Sequence, residues 1–306
     1  MKREIISITS NYDNLELHAS VTIPDIKPLA IVQIMTPLME SRYFYDDLAA
    51  VLATYGYVVL TADYRGHGQS INGEHPLGYF AESDGWIKNI KDQNMFCQWI
   101  RERYRHLNYY LFAAGLGTYV ALSYLKRYEY EVSGIVLANV PSEIKWLSLY
   151  KPFIEKDMKS QGPKAPCKLF TEKYFRNLEK KNKCSLNEWL SDDQNIVDRY
   201  NTDALCGFDL PNKAVLDLLF GQQDIFVNKD WQVLKKDLPI LILNGQKDLL
   251  THYPEGLKQI TNRLNKVGYQ NLESKVYPEF KSDLVNGNNK NVVYEDLILW
   301  YNKINK

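Results

Sequence analysis

Between residues 30 and 140 the chain alternates short apolar runs with longer amphipathic stretches. AIVQIM (Ala30–Met35) leads into a helical pattern from Phe44 to Thr54, and YVVLTA (Tyr57–Ala62) into one from Gly85 to about His106. YYLFAA (Tyr109–Ala114) precedes a helix over Thr118 to Arg127, and GIVLANV starts at Gly134. The apolar runs are unbroken rather than alternating, which is the pattern of strands covered on both faces in a parallel sheet. Strand and helix in turn predict a doubly wound α/β domain.

Ahead of this rhythm, EIISITS from Glu4 and LELHASVTIP from Leu15 read as two strands joined by the turn-forming Asn11-Tyr12-Asp13-Asn14, a hairpin at a sheet edge. The rhythm stops between Pro141 and Lys236, where polar, helical and Lys-rich stretches contain no core strand. It resumes with PILILNG (Pro239–Gly245), a helix over Pro254 to Val267, the strand ESKVYP (Glu273–Pro278) and a terminal helix from Asn291. Both ends share one sheet pattern, so the expected organisation is an α/β core of residues 1–140 and 237–306 with a helical cap inserted at 141–236.

Composition narrows the function classes. Across 306 residues, 37 Lys+Arg balance 37 Asp+Glu, so no long-range field exists to gather nucleic acid or an acidic membrane surface. Cys97, Cys167, Cys184 and Cys206 form no C-x-x-C pair and read as buried, reduced thiols. The first twenty residues carry charges but no apolar leader, and no apolar run is long enough to cross a bilayer, so a cytoplasmic protein without an integral membrane segment is expected. Gly115-Leu116-Gly117 lacks the remaining glycine of a dinucleotide fingerprint, and no phosphate-loop motif occurs, so no cofactor is expected.

DYRGHGQS (Asp63–Ser70), which follows a buried strand, resembles the "DHRGHG-S" segment of the α/β-hydrolase fold. NEWLSDD (Asn187–Asp193) and VDRYNTDALCGF (Val197–Phe208) are similar to "DWLSRD" and "DKYxxDPLCGF", and GQKD (Gly245–Asp248), YPEFKSDLVN (Tyr277–Asn286) and VVYEDLILWY (Val292–Tyr301) to "GDKD", "YPGARHELLNE" and "VYEDILEWL". Those segments belong to the bacterial lysophospholipase and monoglyceride-lipase group, the serine aminopeptidase-like hydrolases, and the resemblance runs over nearly the whole chain. It implies an α/β-hydrolase fold and carboxylic-ester hydrolysis. In that fold a serine stands on a tight strand-to-helix turn, a histidine takes its proton and a carboxylate orients the histidine.

Laid on that pattern, this chain departs from it. AAGLGT (Ala113–Thr118) against "GHSMGS" puts Gly115 at the nucleophile position, and YPEFKSD against "YPGARHE" puts Ser282 at the position of the base. Glycine has nothing to attack with, and serine has no pKa near neutrality with which to act as a base. Asp248 falls where the acid lies, and the oxyanion-loop "HG" pair becomes Thr36-Pro37, leaving the amides of Leu38 and Leu116 as the expected oxyanion donors. One isolated replacement would leave the rest of the machinery intact; loss of Ser, His and the His-Gly pair together reads as divergence away from hydrolysis.

Of five histidines, His67 in RGHG reads as structural, and His252, four residues after Asp248, reads as a surface residue or an accessory base at the site's rim. Asp248 and His252 are two metal ligands without a third, so no metal is expected. Lys180, Lys181 and Lys183 read as a solvated face, and the 22 tyrosines as rings lining a lid or filling a core. The expected function is that of a non-catalytic binder of a small acyl or apolar ligand. An esterase or lysophospholipase working through substituted groups is the alternative, and a protein-interaction module the second.

Overall fold

The computed structural model describes residues 1–227 and 229–305. One eight-stranded sheet runs through the molecule in the order β1-β2-β4-β3-β5-β6-β7-β8. The strands are β1 (Lys2–Thr9), β2 (Glu16–Ile23), β3 (Ala30–Met35), β4 (Tyr57–Ala62), β5 (Asn108–Ala114), β6 (Gly134–Ala138), β7 (Ile240–Gly245) and β8 (Leu272–Tyr277). β1 and β2 form the expected antiparallel hairpin at one edge, β2 pairs antiparallel with β4, and every later pairing is parallel. Every residue of β3, β4, β6 and β7 is buried, which is why these strands read as unbroken apolar runs; edge strand β1 alternates instead.

The helices are α1 (Asp46–Thr54), α2 (Gly85–Arg103), α3 (Gly117–Tyr128), α4 (Lys145–Gln161), α5 (Lys168–Thr171), α6 (Asn177–Asn182), α7 (Gln194–Thr202), α8 (Asn212–Phe226), α9 (Glu255–Val267) and α10 (Lys290–Ile304), with a π turn over Glu172–Arg176. α1 packs on α10, whereas α2, α3 and α8 pack together and α4 lies against α8. Residues 141–236 add no strand to the sheet among the described residues. Their interior is a cluster of rings: Phe170 stacks on Tyr174 at 5.1 Å and Phe175 on Trp189 at 5.2 Å, and Trp189 meets Tyr200 edge-on.

From β3 the chain goes to β4 on one side and then back to β5 on the other, so the direction of winding reverses between β3 and β5. In open α/β sheets the carboxyl ends of the strands at such a reversal are where ligands usually bind. In register Met35 pairs with Ala113, so the chain leaves the sheet with Thr36 level with Ala114 and Pro37 beside Gly115. The RGHG segment braces this end of the sheet. Asp63 holds the Arg42 guanidinium and accepts from the amides of Arg42 and Gln69 at 3.0 Å each, and Arg65 reaches Asp92 and Asp13 at 2.7 Å. A side chain at Gly68 would strike the Asp63 carboxylate, so this turn needs glycine. His67 is wholly buried against Phe80 and Phe208; its Nδ1 donates to the Arg65 carbonyl, and burial pushes its pKa down to about 4. It is a neutral packing residue, as its sequence context suggested.

All four thiols are free. Cys97, Cys167 and Cys206 are buried, but Cys184 is only half-covered. It follows the last turn of α6, where Lys183 adopts a left-handed conformation and carries the chain to the surface.

Candidate functional site

The turn between β5 and α3 is built around two glycines with different duties. Gly115 sits at φ +51°, its amide donating to the Ala138 carbonyl at 3.0 Å and its carbonyl accepting from the Thr118 amide at 3.0 Å and hydroxyl at 2.6 Å. A Cβ there would meet only the Pro37 ring, at 3.3 Å. At Gly117 a Cβ would lie 2.0 Å from the Thr36 carbonyl oxygen, so α3 can approach β3 this closely only with glycine. Leu38 and Leu116 are buried beside this turn, and neither backbone amide has a protein acceptor among the described residues.

Asp248, in the loop after β7, and Ser282, in the loop after β8, come together although 34 residues apart: the Ser282 hydroxyl donates to Asp248 Oδ1. That oxygen also accepts from the Leu250 amide at 2.9 Å, while Oδ2 is buried without a partner. Burial pushes the Asp248 carboxyl up to about 6, against the pull of Ser282 and the backbone donors. Thus the structure joins two of the sequence-selected positions directly, and the third, Gly115, stands on its turn without a side chain. Thr36 is buried, and its carbonyl accepts from the Tyr64 hydroxyl at 2.9 Å.

His252 does not join them. It is exposed at φ +50° and faces a cavity of about 960 Å³. That cavity lies between α4, the 173–181 stretch and the loop after Asp248, and its walls include Trp146, Leu178, Leu249 and Leu250 but neither Gly115 nor Ser282. Among the described residues no group of three or more His, Cys, Asp or Glu side chains could hold a metal ion.

Four further residues of this region were not singled out from the sequence. Asn139, just past β6 at φ +51°, donates through Nδ2 to the carbonyls of Ser282 at 2.7 Å and Lys281 at 3.1 Å, and its Oδ1 accepts from the Gly245 amide at 2.7 Å. It ties the ends of β6 and β7 to the Ser282 loop. Lys281 fastens that loop to the 187–193 segment, donating to the Glu188 carbonyl at 2.9 Å and pairing with Asp192 at 3.0 Å. Tyr174 is buried with no partner for its hydroxyl, and its pKa is raised by burial and by the charge of Asp248. Glu40 is buried on the loop after β3; burial and the neighbouring Asp283 push its carboxyl well above the ordinary range. Only Asn139 had a faint cue, an asparagine directly after a buried strand, where a left-handed turn is cheapest for that residue among the non-glycines.

Solved structures with the same architecture include a highly thermostable carboxyl esterase from Bacillus coagulans in complex with glycerol, 22% identical with 100% of both chains covered and a TM-score of 0.85. A lipase in its open form is 18% identical over 100% of both chains at a TM-score of 0.87. A soluble variant of the monoglyceride lipase from Saccharomyces cerevisiae, in complex with a substrate analogue, is 16% identical with a TM-score of 0.77, covering 99% of this chain and 95% of that one. At these identities the likeness establishes the α/β-hydrolase fold. No curated protein matches the sequence. No helix among the described residues is long and apolar enough to cross a membrane. The family model for serine aminopeptidase, S33, matches residues 26–288, which takes in the glycine turn, Asp248 and Ser282, and the chain belongs to that family.

Proposed function

We propose that this protein is a hydrolase-fold binder that holds a small acyl or apolar molecule and does not cleave it, with residues 141–236 serving as a cap over the 1–140 and 237–306 core. The observation that carries this reading is the Ser282–Asp248 hydrogen bond. A serine hydroxyl occupies the place beside the acid where hydrolysis needs an imidazole, and the turn opposite carries Gly115, which has no nucleophile. The amides of Leu38 and Leu116 could still receive an oxyanion, but stabilising a tetrahedral intermediate is of no use without a group to form it. A sizeable cavity walled in part by Leu249 and Leu250, on the loop that carries Asp248, supports binding as the activity.

A second reading, an esterase using substituted groups, draws support from the family match and from the acyl-ester hydrolases that share the fold. One experiment separates the two: turnover of p-nitrophenyl esters from acetate to palmitate by the wild-type protein beside Asp248→Asn. The expected outcome is no turnover by the wild type above that of the variant, with a co-purified ligand sought by native mass spectrometry. Turnover that Asp248→Asn abolishes would establish the esterase instead.

A further inference from the structure

The cavity of about 960 Å³ is at the upper end of the range of about 300–1,000 Å³ usual for small-molecule sites. Its apolar wall comprises Trp146, Leu149, Leu178, Leu249 and Leu250, and Leu149 is 75% exposed. Four lysines, Lys145, Lys173, Lys181 and Lys258, share that wall with only two carboxylates, Glu143 and Glu255. Among the described residues none of the four lysines is ion-paired. Lys173 lies 4.3 Å from the centroid of the Tyr150 ring, and Glu143 accepts from Gln259. Tyr174 lines the same cavity, and its buried hydroxyl has no protein partner. A buried polar atom left this way ordinarily meets water or a ligand.

From this juxtaposition of an apolar wall with unpaired lysines we infer that the cavity takes a single-chain amphiphile with an anionic head, of the fatty carboxylate class. The inference rests on the binder reading above and narrows it. The chain lies against Trp146, Leu178, Leu249 and Leu250, where burial drives association. The head is neutralised by Lys145, Lys181 and Lys258, whose flexible stems reach a point charge without fixed geometry. Attraction between exposed charges weakens with salt, so affinity for the anion falls as ionic strength rises, while that for a neutral chain does not.

The test is titration of the whole protein with decanoate, decanol, decyltrimethylammonium and decyl phosphate by calorimetry, with tryptophan fluorescence as a second readout. It is repeated on Lys145→Glu/Lys181→Glu/Lys258→Glu. These lysines are exposed, so the variant keeps the fold, checked by its melting curve. Decanoate is expected to bind at least tenfold tighter than decanol, to lose that advantage in the triple variant and in high salt, and decyltrimethylammonium to bind most weakly. Decyl phosphate binding more tightly than decanoate would replace the carboxylate class with a phosphate head. Equal binding of decanoate and decanol, unchanged in the triple variant, overturns the anionic head and leaves the apolar binder standing. If none of the four binds, both readings fail.

Discussion

The Ser282 hydroxyl and the Leu250 amide both donate to the same oxygen of Asp248. The carboxylate is therefore held in place from two loops at once, while its other oxygen is buried with no partner. One hydroxyl and one amide thus satisfy a single oxygen of a buried carboxylate.

On the proposed binder reading, a serine at position 115 together with a histidine at position 282 should give ester cleavage where either change alone does not. Gly115→Ser introduces a Cβ that meets Pro37 at 3.3 Å and adopts φ +51°, a strain of about 1 kcal/mol that the turn can absorb. With Ser282→His added, hydrolysis of p-nitrophenyl butyrate is expected to exceed that of each single variant by at least about 100-fold, the lower end of what a positioned base contributes. Activity of Gly115→Ser alone would mean that another base serves, with His252 the first to replace.

The raised pKa of Asp248 makes a signed prediction about stability. Its folded pKa of about 6 lies above the unfolded value near 4, so the folded state holds the proton more tightly, and stability falls as pH rises from about 4 to about 6. A two-unit shift corresponds to a penalty of about 3 kcal/mol once the group is ionised. Asp248→Asn removes the charge and nearly keeps the shape. Its melting temperature should exceed that of the wild type at pH 8, with the difference shrinking steadily down to pH 4. A difference independent of pH would show that Asp248 titrates normally.

Asn139 bonds the ends of two strands and the Ser282 loop through one side chain. Asn139→Ala loses three hydrogen bonds and should cost about 2–4 kcal/mol in urea unfolding. It also puts a β-carbon at φ +51° without the local bonding that lets asparagine adopt that conformation. Asn139→Gly removes the same bonds without that strain, so it should fall between alanine and wild type. Equal stability of all three would mean that the loop is held by Lys281 and its 187–193 partners alone.

The α/β fold was legible because parallel strands buried on both faces leave a signature that survives in a single sequence: β3, β4, β5, β6, β7 and β8 lie within a residue or so of the apolar runs that predict them. The family resemblance likewise singled out Gly115, Asp248 and Ser282, which lie on the loops after β5, β7 and β8. That Asp248 and Ser282 touch could be expected from the resemblance; that the hydroxyl donates to the carboxylate, and what burial does to its pKa, could not. Asn139 and Lys281 escaped notice because an asparagine after a strand and a lysine on a loop are common. What distinguishes them is the backbone carbonyls they reach in segments distant along the chain.

The order of apolar and polar residues by itself determined the sheet, its covering helices and the identity of the side chains at the ends of the strands, because those follow from local periodicity and from which residues can be buried. The tertiary structure alone decided that Asp248 is buried, that His252 is exposed and lines a cavity, and that Lys145, Lys173, Lys181 and Lys258 share that cavity with an apolar wall. Burial, pairing and cavity walls are set by groups brought together from distant parts of the chain, and no local pattern encodes which of them will meet.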